Sequence, residues 1–229
     1  MVFFGSIQHF VVLMALVVST YSNAHAHIDT NESIDAYSKL LLVQPQDTEI
    51  LLKRQFLLRD AGRFQAALLD LGHIQKVEPR HPLLYLELGL TYFKMNNCDR
   101  AITHLNTYLS QTPTESSKQA QALGYRARAQ CRQLKKDHSK ALEDYDASLT
   151  IWMLQDTVFS YGRLLEKLRQ YEKAELLYKK ALEQKQDSAA MRISLVRTLR
   201  TQEKFLDAID VLNPLIKQAR MPAQWLLLR

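Results

Sequence analysis

The sequence contains few residues that interrupt regular structure. Only 6 glycines and 6 prolines occur among its 229 residues, which excludes a collagen-like or low-complexity chain. Hydrophobic residues make up 47% of the chain and charged residues 24%. This is the composition of a folded protein that can bury a core.

Recognisable signatures of catalysis and of metal binding are also missing. The sequence has no H-E-x-x-H, no paired C-x-x-C, no G-x-S-x-G and no glycine-rich loop of the phosphate-binding or dinucleotide-binding kind. Neighbouring carboxylates such as Glu143 and Asp144 fit a solvated helix face better than an acid/base pair. We therefore predict that the protein is not an enzyme and holds neither a metal nor a cofactor.

The charge of the chain is only mildly unbalanced. Its 30 Lys and Arg residues exceed its 24 Asp and Glu residues by 6. Basic residues alternate with acidic ones, as in Lys135-Lys136-Asp137, whereas binding to a phosphate backbone requires a continuous basic patch. We predict no nucleic-acid partner.

Long apolar runs are absent apart from one short segment near the N-terminus. Phe10 to Val18 is an unbroken apolar run of 9 residues, about half of what a membrane-spanning helix requires. Ala24 and Ala26 follow it in the small-x-small arrangement typical of a signal-peptide cleavage site. We predict that residues 1–26 are a cleaved signal peptide and that the mature chain, without a stable membrane span, resides in the bacterial periplasm. No Lys or Arg precedes the run, which departs from the usual signal-peptide pattern. An uncleaved anchor is the alternative, because Val2 to Phe4 and Ile7 would lengthen the apolar stretch.

The remainder of the chain is built from a repeated unit. A short phrase containing alanine recurs at Ala67, Ala101, Ala141, Ala174 and Ala208. Successive copies lie about 34 residues apart, except for a longer interval between Ala101 and Ala141. A constant period of this length without strand signals predicts stacked helical hairpins, each too small to bury its apolar face alone. The longer interval adds residues around position 115, which predicts a longer loop or an extended helix, or else a kink that divides the stack.

Each repeat unit has the periodicity of two helices. Apolar residues recur at three- and four-residue steps, as in Leu84, Leu88 and Tyr92. Gly62 and Asn96 fall between two such segments and tolerate the left-handed backbone conformation in which many helices end. The recurring alanine suits a contact between helix axes about 8–10 Å apart. The pattern therefore predicts an all-α chain of helix pairs.

These features resemble the tetratricopeptide repeat, a helical hairpin of about 34 residues. The second unit carries the family pattern at Tyr85, Leu88, Gly89, Tyr92, Ala101, Leu105 and Pro113, and a later unit carries it at Tyr161, Gly162, Leu165, Ala174, Tyr178 and Ala181. In the first and third units, Arg54-Gln55 and Arg128-Ala129 replace the Leu-Gly of the pattern. The resemblance implies an all-α, right-handed solenoid of stacked antiparallel helix pairs.

The predicted organisation follows from the repeat phase. It consists of a signal peptide at 1–26, an N-terminal segment with a capping helix at 27–47, five repeats at 48–81, 82–115, 116–154, 155–188 and 189–222, and the start of an incomplete repeat at 223–229. Trp225 and Leu228 would expose apolar surface at the C-terminal end. A homodimer through that end is one expectation, and a monomer is the other.

In tetratricopeptide repeat proteins the first helices of the pairs line a concave groove that binds an extended or helical peptide. Transferred by register, the resemblance implies a groove formed by Phe56, Arg59, Leu86, Leu90, Phe93, Arg126, Gln130, Phe159, Arg163, Arg197 and Arg200, with Leu52, Glu166 and Ile193 beside them. The N-terminal half of this set is apolar and aromatic, and the C-terminal half is rich in Arg. We therefore expect a protein or peptide partner with apolar side chains and an acidic group.

One subgroup of the family grips a C-terminal carboxylate with Lys and Asn. Leu52 and Phe56 occupy the corresponding positions here, so the resemblance does not extend to that subgroup. The resemblance implies a non-catalytic scaffold or adaptor in the cell envelope. The alternative is an exported helical protein that encloses a small anion or another solute.

The two cysteines fall in neighbouring repeats. Cys98 lies at the turn of one unit and Cys131 in the first helix of the next. Export would favour a disulfide between them, provided that their Cα atoms lie within about 7 Å. Two buried thiols are the alternative, because free cysteine is among the most buried residue types.

Overall fold

All regular secondary structure in the described part of the chain is helical. The computed structural model describes residues 30–111, 117–184 and 188–218. Eleven helices occur in these ranges: α1 Thr30–Val43, α2 Thr48–Asp60, α3 Phe64–Val77, α4 Leu84–Lys94, α5 Cys98–Leu109, α6 Lys118–Leu134, α7 His138–Ile151, α8 Gln155–Lys167, α9 Tyr171–Glu183, α10 Ala189–Thr201 and α11 Phe205–Gln218. The predicted signal peptide and the predicted incomplete repeat lie outside the described residues.

After α1, the helices form five hairpins in chain order. Helix α2 pairs with α3, α4 with α5, α6 with α7, α8 with α9 and α10 with α11, and each second helix also packs against the first helix of the next hairpin. The hairpins therefore stack in a row and bury apolar side chains between neighbours. The predicted all-α, right-handed solenoid of antiparallel helix pairs is confirmed.

The turn within every hairpin has the same backbone geometry. Its left-handed residue has a φ between 58° and 75° and is Gly62, Asn96, Lys136, Arg169 or Glu203 in the successive hairpins. The N–H of the following residue donates to the carbonyl five positions earlier, as from Arg63 to Leu58 at 2.8 Å. These bonds close the first helix in a Schellman motif. A positive φ is unfavourable for residues with a Cβ atom. Lys136, Arg169 and Glu203 nevertheless adopt it, because the chain must reverse at this position for the two helices to pair.

Small residues allow the two helices of a hairpin to approach closely. The recurring alanines are completely buried in the first four hairpins and 4% exposed at Ala208. A Cβ atom added to Gly89 would lie 2.6 Å from Leu105 Cγ, and one added to Gly162 would overlap the hydroxyl of Tyr178. The large residue of the second helix therefore fills the space that glycine leaves in the first.

The first and third hairpins use a buried ion pair where the family pattern has Leu-Gly. Arg54 Nε lies 2.9 Å from Asp70 Oδ2, and Arg128 Nε lies 2.9 Å from Asp144 Oδ2. A second nitrogen of each guanidinium binds the other carboxylate oxygen, so both pairs are bidentate. Each aspartate is only 2% exposed. The deviation from the pattern is thus compensated by a residue in the second helix of the same hairpin. The prediction that Asp144 lies on a solvated helix face is therefore wrong, because its carboxylate is buried against Arg128.

The insertion between the second and third hairpins lengthens a helix. Helix α6 has 17 residues, whereas the other first helices have 11 to 13. The expected extension of the first helix is therefore present, and residues 112–116 lie outside the described part of the chain.

A carboxylate joins the fourth hairpin to the fifth. Glu175 of α9 accepts hydrogen bonds from Lys179 at 2.7 Å, from Gln202 at 2.9 Å and from Lys204 at 2.7 Å. Burial alone would raise the pKa of Glu175, but the hydrogen bonds from Lys179, Lys204 and Gln202 outweigh it and lower the pKa to about 2. The ionised form of Glu175 therefore stabilises the stacking of these hairpins.

Replacing Gly162 by Ala should destabilise the fold. The new methyl group would overlap Tyr178, and relief of such overpacking costs roughly 1–3 kcal/mol of unfolding free energy. Gly72→Ala is the matched control, because a Cβ at this helical position has no neighbour within 4 Å and should stabilise by about 0.5–1 kcal/mol. Urea unfolding of both variants measures the difference. Equal stability of the two variants would contradict the close packing at Gly162.

The stabilisation by Glu175 should depend on pH. The folded-state pKa lies below the unfolded-state value, so the contribution is complete above about pH 5 and is lost as the pH falls through the folded-state value near 2. Glu175→Gln should reduce the unfolding free energy by about 2–3 kcal/mol at neutral pH and progressively less in acid. Glu172→Gln, at an exposed position of the same helix, is the control. A deficit of Glu175→Gln that stays constant down to acidic pH would contradict the role of the ionised form.

Candidate partner-binding groove

The first helices of all five hairpins line one cavity. Its volume is about 690 Å³, and α2, α4, α6, α8 and α10 each contribute side chains, whereas the second helices contribute none. The cavity is therefore the concave side of the stack. Its volume falls within the range of ligand-binding clefts.

The structure brings most of the predicted groove residues together in this cavity. The lining includes nine of them: Phe56, Arg59, Leu90, Phe93, Arg126, Gln130, Phe159, Arg163 and Arg197. Residues from the first and the last hairpin thus face the same space, as helical register predicts.

Two predicted groove residues, Leu86 and Arg200, do not line the cavity. Leu86 is 2% exposed and belongs to a core cluster with Leu105 and Ala127. It is buried because α6 of the next hairpin packs over this part of α4. Arg200 is exposed in the last turn of α10, and the described residues provide no further first helix to enclose it. Register alone therefore assigned Leu86 to the groove incorrectly, whereas the assignment of Arg200 stays a prediction.

Seven further lining residues were not predicted from the sequence. They are Asp60, Lys94, Leu123, Ala127, Asp156, Ser160 and Ser194. Each lies three or four positions from a predicted lining residue on the same helix, so it shares that residue's face. Helical periodicity was the signal that could have identified them.

Aromatic side chains give the groove its apolar surface. Phe56 is 48% exposed, and the guanidinium of Arg59 lies 5.1 Å from the centroid of its ring, within the range of a cation–π contact. Phe93 and Phe159 are half-buried and line the same cavity from α4 and α8. These rings can bury apolar side chains of a ligand.

Three of the groove arginines form ion pairs between neighbouring hairpins. Arg59 pairs with Glu87. Arg126 Nη1 lies 2.7 Å from Asp156 Oδ2. Arg197 Nη2 lies 3.0 Å from Glu166 Oε2. The groove is consequently less basic than its count of Arg residues suggests.

Arg163 differs from the other groove arginines. Its Nε donates to the carbonyl of Phe159 at 3.3 Å, and no carboxylate in the described part of the chain forms an ion pair with it. Arg163 is also exposed. Its charge is therefore accessible to a ligand.

Side chains of two other helices hold the Glu166 carboxylate in place. Its carboxylate accepts from Thr198 Oγ1 at 2.7 Å and from the Tyr178 hydroxyl at 3.3 Å, in addition to Arg197. Burial and the nearby Glu166 charge raise the pKa of Tyr178.

Within the described ranges, no three His, Cys, Asp or Glu residues are grouped as metal ligands.

The two cysteines are free thiols in the structure. Cys131 is fully buried, whereas Cys98 is partly accessible. Burial and a hydrogen bond between the two thiols raise the pKa of Cys131. Of the alternative with two buried thiols, Cys131 fits and Cys98 does not, and the disulfide stays a prediction for the exported protein.

Comparisons with known proteins identify the repeated unit. Two family models described as "Tetratricopeptide repeat" match residues 58–131 and 159–222, which together make up more than half of the chain. Both models describe a repeat and not an enzyme. No match to a curated protein sequence is found.

Several solved structures share this fold at low sequence identity. MamA is 24% identical with a TM-score of 0.55, and the match covers 69% of this chain and 90% of MamA. PilF of Pseudomonas aeruginosa is 14% identical with a TM-score of 0.62, over 84% of this chain and 95% of PilF. Yeast Tom70 is 18% identical with a TM-score of 0.60, over 89% of this chain and 41% of Tom70. At these identities the similarity shows the fold alone.

None of the helices within the described residues is both long enough and apolar enough to cross a membrane. The predicted signal peptide lies outside these residues.

The two thiols should differ in reactivity toward an alkylating reagent. Iodoacetamide reacts with the thiolate, so the native protein should be modified first at Cys98, because Cys131 is buried and has a raised pKa. Peptide mass spectrometry after timed alkylation measures the order, and Cys98→Ser should leave the native protein almost unlabelled. Two cysteines that resist alkylation until a reductant is added would show a disulfide instead.

Proposed function

Because this chain belongs to the tetratricopeptide repeat family, we propose that it is a non-catalytic scaffold or adaptor whose concave groove binds a segment of a partner protein. The observation that carries the proposal is the single cavity lined by the first helices of all five hairpins. A surface shared by every repeat can contact an extended or helical segment along its length.

The composition of the groove supports a partner segment with apolar and acidic side chains. Phe56, Phe93 and Phe159 supply apolar contact area, and aromatic residues are enriched at interface hot spots. Five cationic side chains line the cavity, and three of them, Arg59, Arg126 and Arg197, are paired with carboxylates. Lys94 and Arg163 form no ion pair with a described residue, and Asp60 is the remaining acidic residue of the described lining. The small excess of unpaired positive charge favours an acidic partner.

The same contacts argue against a catalytic role. Glu166 accepts hydrogen bonds from Arg197 and Thr198 of the next hairpin, and Asp156 pairs with Arg126 of the preceding one. Both carboxylates thus link neighbouring hairpins, which is a structural role.

We also propose that the protein acts in the bacterial cell envelope after export. The apolar run Phe10 to Val18, followed by Ala24 and Ala26, supports removal of residues 1–26. The partner would then be another envelope protein.

A small anionic solute is the second candidate ligand. The cavity of about 690 Å³ is large enough for a small molecule, and its cationic excess would also attract an inorganic or organic anion. Native mass spectrometry separates the two candidates, because a bound solute adds a small, defined mass to the full chain.

Replacing two groove aromatics should weaken partner binding. The tagged full chain is used to capture proteins from a periplasmic fraction. The intact mass of the exported protein should correspond to a chain that begins at His27. The affinity of each captured protein is then measured against purified variants. Phe93→Ala combined with Phe159→Ala should weaken binding about 30-fold or more, the size of a hot-spot loss. The helical circular dichroism should remain unchanged.

The matched control removes apolar side chains outside the groove. Phe205 and Leu206 are exposed on α11, at 58% and 79%, so Phe205→Ala combined with Leu206→Ala should leave the affinity unchanged. A partner that binds the Phe93/Phe159 variant as tightly as the native chain would contradict the groove as the binding site.

A further inference from the structure

A second cavity opens beside the groove and is continuous with it. Its volume is about 450 Å³, and it shares Phe93, Gln130, Ser160 and Arg163 with the groove cavity. Lys167 is a second cationic residue of its lining, which contains no carboxylate among the described residues. We call this space the side cavity.

The two cations of the side cavity are not neutralised. Arg163 and Lys167 lie one turn apart on α8, where like charges repel, and neither forms an ion pair with a described residue. The nearby Glu166 carboxylate is bound by Arg197 and Thr198, which belong to the next hairpin. An external anion would relieve the repulsion.

An apolar surface borders these cations. Leu134, the last residue of α6, is 61% exposed, and Phe93 faces the same cavity from α4. These two side chains offer an apolar side chain of a partner a surface to pack against. The side cavity therefore combines an anion site with an apolar contact.

We propose that the side cavity binds an acidic side chain, Glu or Asp, of the partner segment held in the groove. Its carboxylate pairs with Arg163 and Lys167, and an adjacent apolar side chain of the partner packs against Phe93 and Leu134. This inference rests on the proposed function, since it assigns one anchor of the partner to one place in the groove.

The surroundings favour a carboxylate over a phosphate. The planar guanidinium of Arg163 matches the two oxygens of a carboxylate. Leu134 and Lys167 are the last residues of their helices, and a helix C-terminus carries partial negative charge that disfavours a dianion more than a monoanion. Both cations lie in the last turns of α8, and α6 ends beside them at Leu134, so the site suits a single negative charge.

The test selects peptides on the native full chain from a random library of about twelve residues. The proposal expects enrichment of Glu or Asp next to Leu or Phe. Fluorescence anisotropy then measures the strongest peptide on Arg163→Glu combined with Lys167→Glu, which should bind it about tenfold or more weakly. Replacing the acidic residue of the peptide by its amide should cause a similar loss on the native chain and little further loss on the variant.

The matched control reverses the same number of charges elsewhere. Lys173 and Lys180 are exposed on α9 and line neither cavity, so Lys173→Glu combined with Lys180→Glu should change the affinity by less than about twofold, as distant surface charges do. Equal losses from both charge reversals would show a general effect of net charge and would overturn the proposal.

Other outcomes separate this inference from the proposed function. Peptides that lose binding to the Phe93/Phe159 variant but bind the Arg163/Lys167 variant normally would overturn the side cavity as an acidic anchor and retain the groove. A selected peptide that gains affinity when its acidic residue becomes phosphoserine would overturn the preference for a carboxylate. Peptides that bind both variants as tightly as the native chain would overturn the groove as well.

Discussion

The close approach of the two helices within each hairpin is the constraint on which the rest of the structure depends. It requires a small residue at the contact, supplied by alanines that are almost completely buried, and a left-handed turn that reverses the chain within a few residues. The turn is so strongly imposed that Lys136, Arg169 and Glu203 accept a positive φ. Once these hairpins stack, their first helices must face one side, and the groove is the consequence.

Several polar residues of the groove also join neighbouring hairpins to one another. Arg59, Arg126 and Arg197 each reach a carboxylate of a neighbouring hairpin, so most of the positive charge on the concave side holds repeats together. Arg163 is left without such a partner among the described residues. The difference between these arginines follows from where carboxylates fall on the adjacent helix, because helical register is the same for all of them.

Much of the fold could be predicted because it depends on local spacing. The repeat period, the recurring alanine and the Gly89 and Gly162 positions are visible in the chain. The compensating pairs Arg54–Asp70 and Arg128–Asp144 were not predicted, because a bidentate contact across a hairpin requires the packing of both helices. Leu86 was assigned to the groove by register, yet the longer α6 covers it. Periodicity thus predicts which face of a helix a residue lies on, but the packing of neighbouring helices determines whether that residue is exposed.

The sequence by itself determined the helical hairpin, its repetition and the family, since each rests on residues within one repeat length of one another. It also determined which face of each first helix carries the groove residues. Only the tertiary structure decided which of those residues are covered, which arginines are neutralised and where the side cavity opens. The physical reason is that charge pairing and burial depend on contacts between helices of different hairpins, and linear spacing does not specify those contacts.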